Sequence, residues 1–198
     1  MTRGLILASA SIVRAQLLAA AGLDFRIEPA DVDETLLKQV CWAESRNAAD
    51  CALALAEVKA RQVAAGHRAV VIGADQILVS GEVWFDKPMN LGQARTQLEA
   101  LRGRTHELVT AVCAVQGGKR LWHAVSSPRL TMRDFTEAFL DDYIAAEGAE
   151  IIGSVGAYRL EGRGIQLFEH IEGDYFAILG LPLLELLGFL RNAGEIPS

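Results

Sequence analysis

An aspartate in the middle of an apolar run is the first residue of this chain whose position calls for a chemical explanation. Asp75 lies in Ala69-Val70-Val71-Ile72-Gly73-Ala74-Asp75-Gln76-Ile77-Leu78-Val79, a run that reads as a strand covered on both faces. Ionised carboxylates are seldom buried, because withdrawing one from water costs several kcal/mol unless a cation or donors receive it. Asp75 is therefore expected to face a metal, a lysine or a bound ligand. The competing reading is an aspartate at a strand end that caps a turn. Gly73 and Ala74 let other groups approach the backbone closely. Near the N-terminus, Leu5-Ile6-Leu7-Ala8 reads as a short strand, Ser9-Ala10-Ser11 as a turn and Ile12 to Gly22 as a helix and its stop. Ser9 or Ser11 is a natural N-cap, and Arg14 sits in the first turn. Free amide donors and the helix dipole suit such a terminus to an anion, although the segment read alone favours an ordinary capped helix with Arg14 in solvent. Lys59 and Lys87 are further cations beside apolar elements, and Asp31-Val32-Asp33-Glu34 is a cluster of carboxylates. Carboxylates with cations suit a metal-bound polyphosphate, where charge is neutralised and water activated. A solvated acidic loop and a Lys87-Pro88 turn are the bland alternatives.

These groups need elements to hold them. Residues 44–65 read as a helix with Ala48, Cys51, Leu55 and Val58 as its apolar stripe and Gly66 as its stop. Lys59 follows Leu55 by four positions and so sits at the core-facing edge. Residues 69–79 and 82–85 read as strands joined at Ser80-Gly81, a hairpin. Leu91 to Leu101 reads as a helix with Ala94, Leu98 and Leu101 on one face. His106 to Val115 and Leu121 to Met132 read as strands around Gly117-Gly118. Phe135 to Ala146 and Leu181 to Asn192 complete the helices, the last with Pro182 at its start. Strands and helices mixed in this order predict an α/β fold. No repeat, linker or low-complexity tract divides the chain, which is read as a single domain over 1–198.

Composition sets outer bounds. Hydrophobic residues make up 51% of the chain, which excludes a disordered protein, and a net charge of −6 argues against a surface that coats nucleic acid. Cys41, Cys51 and Cys113 form no CxxC pair and read as small apolar residues in a reducing compartment. The apolar stretch after Arg3 is too short for a signal peptide. The stretch from Ile178 to Leu190 is too short to span a bilayer and contains Pro182 and Glu185. A cytoplasmic protein, with neither membrane nor nucleic acid as partner, is expected. Walker A, G-x-G-x-x-G, H-E-x-x-H and G-x-S-x-G motifs are absent, and His67, His106, His123 and His170 lack metal-ligand spacing.

The order of the remaining motifs resembles the Maf family of nucleotide pyrophosphatases. Leu7-Ala8-Ser9-Ala10-Ser11-Ile12-Val13-Arg14 resembles its L-A-S-x-S-P-R-R, Asp31-Val32-Asp33-Glu34 its D-x-D-E, and Leu55-Ala56-Glu57-Val58-Lys59-Ala60 its L-A-x-x-K-A. Gly73-Ala74-Asp75-Gln76 resembles its G-A-D-T, Lys87-Pro88 its K-P, and Gly103-Arg104-Thr105-His106 with Val109-Thr110 its G-R-T-H-x-V-x-T. Gly156-Ala157-Tyr158, Ile171-Glu172-Gly173-Asp174-Tyr175 and Gly180-Leu181-Pro182-Leu183 are similar to its C-terminal signatures. The resemblance runs in register along nearly the whole chain. It implies an elongated mixed sheet with flanking helices and a deep cleft between two lobes, a fold thought to be shared with inosine-triphosphate pyrophosphatases. It implies hydrolysis of a nucleoside triphosphate to the monophosphate and pyrophosphate with a divalent cation (Mg, Mn or Co). By resemblance, Asp75 is the general base, Ser9, Arg14, Lys59 and Lys87 hold phosphates, and Glu34 with Asp75 binds the metal. A homodimer is left open.

The departures point to a branch. Val13 stands where the family's R-R pair has its first arginine, Gln76 where a threonine follows the base, and Ser154 and Glu161 where a lysine and a glutamine are usual. The dTTP- and UTP-preferring branch carries that arginine, threonine and glutamine. Ser154 through Glu161-Gly162-Arg163-Gly164-Ile165-Gln166-Leu167-Phe168-Glu169 resembles the 7-methyl-GTP branch instead, which makes Val13, Gln76 and Glu161 the expected specificity residues. A carboxylate at 161 can accept from guanine N1–H and its amino group and complements a cationic methylated ring. The alternatives are a dTTP/UTP pyrophosphatase and, in a different class, a nucleotide-binding regulator of division or septum formation without significant hydrolysis.

Overall fold

The computed structural model describes residues 4–197. Eight strands form a mixed sheet in the order β2-β1-β3-β5-β7-β8, with β4 paired to β3 and β6 to β5. They are β1 (Leu5–Leu7), β2 (Phe25–Ile27), β3 (Val70–Ser80), β4 (Val83–Phe85), β5 (Thr105–Gln116), β6 (Lys119–Ser126), β7 (Arg129–Met132) and β8 (Phe168–Glu172). The helices are α1 (Ile12–Ala20), α2 (Glu34–Ala43), α3 (Ala48–Ala64), α4 (Leu91–Leu101), α5 (Glu137–Glu147), α6 (Tyr175–Ile178) and α7 (Leu183–Asn192). The expected α/β class is what the chain adopts. By contacts the chain divides into two compact units, one of residues 1–76, 110–126 and 174–198 and one of 77–109 and 127–173.

In the first unit β1 pairs in parallel with both β2 and β3, the arrangement expected when helices cover both faces of a sheet. Strand alternation sorts the side chains of β3. Val70, Ile72 and Ala74 join Leu5, Leu7, Val112 and Ala114 in one core with Leu18 of α1 and Leu183, Leu186 and Leu190 of α7. Trp122 closes this layer by stacking on Phe189, ring centroids 5.1 Å apart. The opposite face receives α3. A Cβ added at Gly73 would lie 2.1 Å from the Ala56 carbonyl oxygen and 2.8 Å from Ala60 Cβ. Only glycine permits that approach, and the small residues Ala52, Ala56 and Ala60 line the helix there.

In the second unit β7 pairs antiparallel with the start of β5 and with β8. Helices α4 and α5 and three short 3₁₀ segments between 148 and 167 accompany them. Gly156 sits at φ +77°, where a Cβ would meet Leu78 Cδ1 at 2.5 Å.

Several expectations about elements need correction. Residues 34–43 form a helix that is absent from the expected elements, and α3 begins only at Ala48 after an Asn47 cap whose side chain accepts from Asp50 N. The single strand expected over 121–132 is two, β6 and β7, because Pro128 offers no N–H to a ladder. Strands β2 and β8 are short and half-polar, with Arg26 and with Glu169 and His170 inside them, so neither made an apolar run.

Candidate active site

Period-2 alternation sends Asp75 and Gln76 to opposite faces of β3. Asp75 shares the face of Gly73 and therefore meets α3. Lys59 of α3 donates from Nζ to Asp75 Oδ1 at 2.5 Å, and the two side chains are only 10% and 6% exposed, respectively. The same Nζ lies 2.7 Å from Glu34 Oε1. Glu34 is the first residue of α2, and Asp33 just before it caps that helix by accepting from Leu36 N at 2.9 Å. The Gln62 side chain of α3 donates to the Asp31 carbonyl at 2.9 Å, which holds the entry to α2 against α3. The acidic cluster is thus neither a bare loop nor three equivalent ligands. One carboxylate caps a helix and the next reaches a buried ammonium. The lysine alternative for Asp75's partner, open at the level of sequence, is the one realised within the chain.

On the other face, Gln76 Nε2 donates to Thr110 Oγ1 at 2.8 Å and to the carbonyls of Ala177 and Ile178 at 3.0 and 3.1 Å. Thr110 itself donates to Ala177 O at 2.9 Å. Three acceptors around one amide nitrogen fix the amide orientation, so Gln76 Oε1 points away from them as an acceptor.

The serine-rich turn after β1 is also built. Ser11 caps α1 by accepting from Arg14 N, and the buried Ser9 Oγ accepts from Ser11 N at 3.2 Å and from Arg14 Nη1 at 3.1 Å. Two accepted bonds leave the Ser9 hydroxyl proton as a donor. Arg14 Nη1 also donates to Ala74 O at 2.9 Å, and Nε to Gly180 O at 2.7 Å. Burial lowers the Arg14 pKa, opposed by the charges of Asp75 and Glu34. An arginine stays protonated through such a shift. Arg14 is therefore a cation that senses both carboxylates, not a solvated side chain at a helix start.

The structure thus gathers Ser9, Arg14, Glu34, Lys59, Asp75 and Gln76 within the first unit, with Val13 half-buried on α1. Lys87 and Glu161 belong to the second unit. Lys87 is exposed ahead of α4, and Glu161 Oε1 lies 3.4 Å from Arg159 Nε. Arg159 also faces Glu150 and Glu147 at 3.3 and 3.9 Å. Arg159 was not singled out from sequence, and Thr110 entered only as the end of a motif, with no role assigned. Thr110 carried the same signal as Asp75, a polar side chain inside the apolar stretch Leu108 to Val115.

Among the described residues no group of three or more His, Cys, Asp or Glu side chains is placed to hold a metal. Glu34 and Asp75 nevertheless converge on one ammonium. Two carboxylates completed by substrate phosphates and water suit Mg²⁺, which is rarely held by an all-protein cage. The donor set fits a divalent cation that arrives with a polyphosphate.

The model of the Maf-like protein family matches residues 4–193. The chain belongs to the Maf family. The motif positions that suggested it, from Ser9 to Gln76, are those that meet in the first unit. Curated Maf relatives align over almost their whole length. A nucleoside triphosphate pyrophosphatase of Granulibacter bethesdensis is 55% identical over 189 residues, 95% of this chain and 96% of its own. One of the same name from Paramagnetospirillum magneticum is 53% identical, covering 96% of this chain and 99% of its own. A 7-methyl-GTP pyrophosphatase of Rhizobium meliloti is 47% identical, covering 98% of both. No helix among the described residues of this Maf chain is long and apolar enough to cross a membrane.

Proposed function

We propose that this protein is a nucleoside triphosphate pyrophosphatase whose preferred substrate is 7-methyl-GTP and whose general base is Asp75. The observation that carries the reading is the buried Asp75 carboxylate held by Lys59 beside Glu34, with the Ser9–Arg14 turn on the neighbouring strand end. A carboxylate that accepts from a fixed ammonium has a defined direction, which general-base catalysis requires. Asp75 takes a proton from the attacking water as its oxygen bonds to phosphorus. The α–β anhydride bond breaks, and its electron pair leaves with pyrophosphate. Ser9 Oγ–H, Arg14 and Lys59 supply donors and positive charge to the phosphate oxygens as charge develops there. Glu34 and Asp75 would hold a divalent cation; when bound, it supplies charge neutralisation and assists activation of water.

Lys87 as a phosphate contact and Glu161 and Val13 as base contacts rest on the motifs. Gln76 adds a physical reason for guanine. Its fixed Oε1 is an acceptor, and guanine presents N–H donors on its Watson–Crick edge where uracil presents one N–H between two carbonyls. A reducing cytoplasmic setting accords with three buried free cysteines, of which burial raises the Cys51 and Cys113 thiols to about 12.

The test is pyrophosphate release from 7-methyl-GTP, GTP, UTP and dTTP with Mg²⁺, Mn²⁺ or Co²⁺, in wild type and Glu161→Gln. Release from 7-methyl-GTP at the highest kcat/KM is expected, with the 7-methyl-GTP/UTP ratio lowered by Glu161→Gln. A wild-type preference for UTP or dTTP would replace the substrate while keeping the reaction. No release from any nucleotide would remove the enzymatic reading.

A further inference from the structure

The bonding of Arg14 says more than that it is a cation near an anion site. A guanidinium has five N–H donors in a rigid plane. Nε is engaged by Gly180 O at 2.7 Å, and Nη1 by Ala74 O at 2.9 Å and Ser9 Oγ at 3.1 Å. The two N–H groups of Nη2 lie outside these bonds. Ala74 O belongs to the peptide that links Ala74 to Asp75, so the bond from Nη1 bears on the segment that aims the Asp75 side chain. Gly180 O closes the segment whose Ala177 and Ile178 carbonyls receive Gln76 Nε2. Arg14 and Gln76 therefore tie residues 74–76 to residues 177–180 through separate bonds. Gly180 is shaped for this contact. It adopts φ +97°, and a Cβ there would lie 3.2 Å from Arg14 Nε and 3.4 Å from Nη2. A phosphate-gripping arginine presents its fork to the anion. Here the fork is turned into the protein.

We infer that Arg14 serves the reaction chiefly as a positioning residue, clamping the Ala74–Asp75 peptide to the Gly180 carbonyl and leaving only its Nη2 edge for an anion. This rests on the reading of Asp75 as general base. Lysine cannot replace the clamp, because one ammonium on a flexible stem does not reproduce a planar set of bonds to three acceptors.

The test compares Arg14→Lys and Gly180→Ala with wild type, by kcat and KM for 7-methyl-GTP and UTP, by inhibition with pyrophosphate, and by hydrogen exchange at residues 74–76 and 178–181. Arg14→Lys keeps the charge and loses the fork. It is expected to lower kcat about 10²-fold, the scale of a ~1 Å misplacement, with KM and pyrophosphate inhibition little changed. Exchange at 74–76 should quicken. Gly180→Ala leaves every charge in place and should change kcat and exchange in the same direction; if it fails to fold, Arg14→Lys decides alone. A raised KM and weakened pyrophosphate inhibition in Arg14→Lys, at unchanged kcat and exchange, would make Arg14 a phosphate ligand and overturn the clamp. A wild-type protein without pyrophosphatase activity would remove Asp75's role, while the exchange measurement would still decide whether the clamp exists.

Discussion

Removing the Lys59 ammonium would leave the Asp75 carboxylate in a site only 6% exposed, with its nearest cation gone. Breaking a buried pair from one side costs about 3–5 kcal/mol, because the remaining charge is stranded. Lys59→Ala is therefore expected to lower the urea midpoint strongly as well as to abolish turnover. The family resemblance gives Lys59 the role of a phosphate contact, whose loss would weaken triphosphate handling more than the fold. Its two carboxylate bonds change that expectation. Lys59→Met combined with Asp75→Leu should recover much of the lost stability, since replacing both members of such a pair by apolar groups is often close to neutral. Activity would stay absent. A double variant no more stable than Lys59→Met would show that the pair is not what the single substitution breaks. Asp75→Asn is a milder change. The amide still accepts from Lys59, Glu34 still faces the ammonium, and the fold should persist while pyrophosphate release falls by ~10²–10⁴. Near-normal turnover in folded Asp75→Asn would take Asp75 out of the mechanism.

Helix α3 carries the lysine that meets Asp75 and α2 the glutamate that meets this lysine, and each helix is held by a contact that can be removed. Helix α3 lies against β3 because residue 73 lacks a side chain. In Gly73→Ala the new Cβ would meet the backbone oxygen of Ala56, which cannot rotate away. The helix must move, and overpacking of this kind costs about 1–3 kcal/mol. Lys59 precedes Ala60, the second residue in that contact, so lost stability should come with lost activity. Unaltered kcat in folded Gly73→Ala would show that the approach of α3 does not set the Lys59–Asp75 geometry. Helix α2 depends on Asp33. Asp33→Ala removes the cap on Leu36 N and should cost about 0.5–2 kcal/mol. Because Glu34 begins the helix, fraying there should weaken the divalent-cation dependence of activity more than the affinity for pyrophosphate, measured by metal titration at fixed nucleotide.

Stability of the whole molecule against acid should depend on a histidine outside the first unit. His106 is 1% exposed, lies 2.8 Å from the Tyr158 hydroxyl through Nε2, and packs against Phe168. Burial lowers its pKa from 6.5 to about 4. The folded form therefore holds a neutral imidazole, whereas the unfolded chain takes up a proton near pH ~6.5. Stability from this group is present above the unfolded pKa and is lost as pH falls through the window from 6.5 to about 4. At ~1.4 kcal/mol per unit the loss is on the order of 3 kcal/mol. Urea midpoints measured across that window should fall, and His106→Asn, less stable at pH 7, should show a shallower fall. A slope unchanged by the substitution would place the acid sensitivity elsewhere.

The sequence by itself determined the class of fold and nominated the candidate reactive groups, because both rest on local signals. Apolar periodicity marked β3, β5, α3, α4, α5 and α7 to within a few residues. A carboxylate inside the apolar run at 75 announced that something must receive it, and motif order carried the family. Tertiary structure alone decided what each group touches. Helix α2 carried its signal in Leu36, Leu37, Val40 and Cys41, which recur at helical spacing but directly follow the acidic run that dominates the segment, and its N-terminus mattered only once α3 packed against it. Nothing in the spacing of 34, 59 and 75 states that one ammonium serves both carboxylates. Nor does the spacing of 14, 74 and 180 state that one guanidinium spans 166 residues of chain to hold two carbonyls. Contacts of that kind depend on which face of β3 each residue occupies and on how closely Gly73 and Gly180 let neighbours approach. Those distances arise only when the sheet and its helices pack.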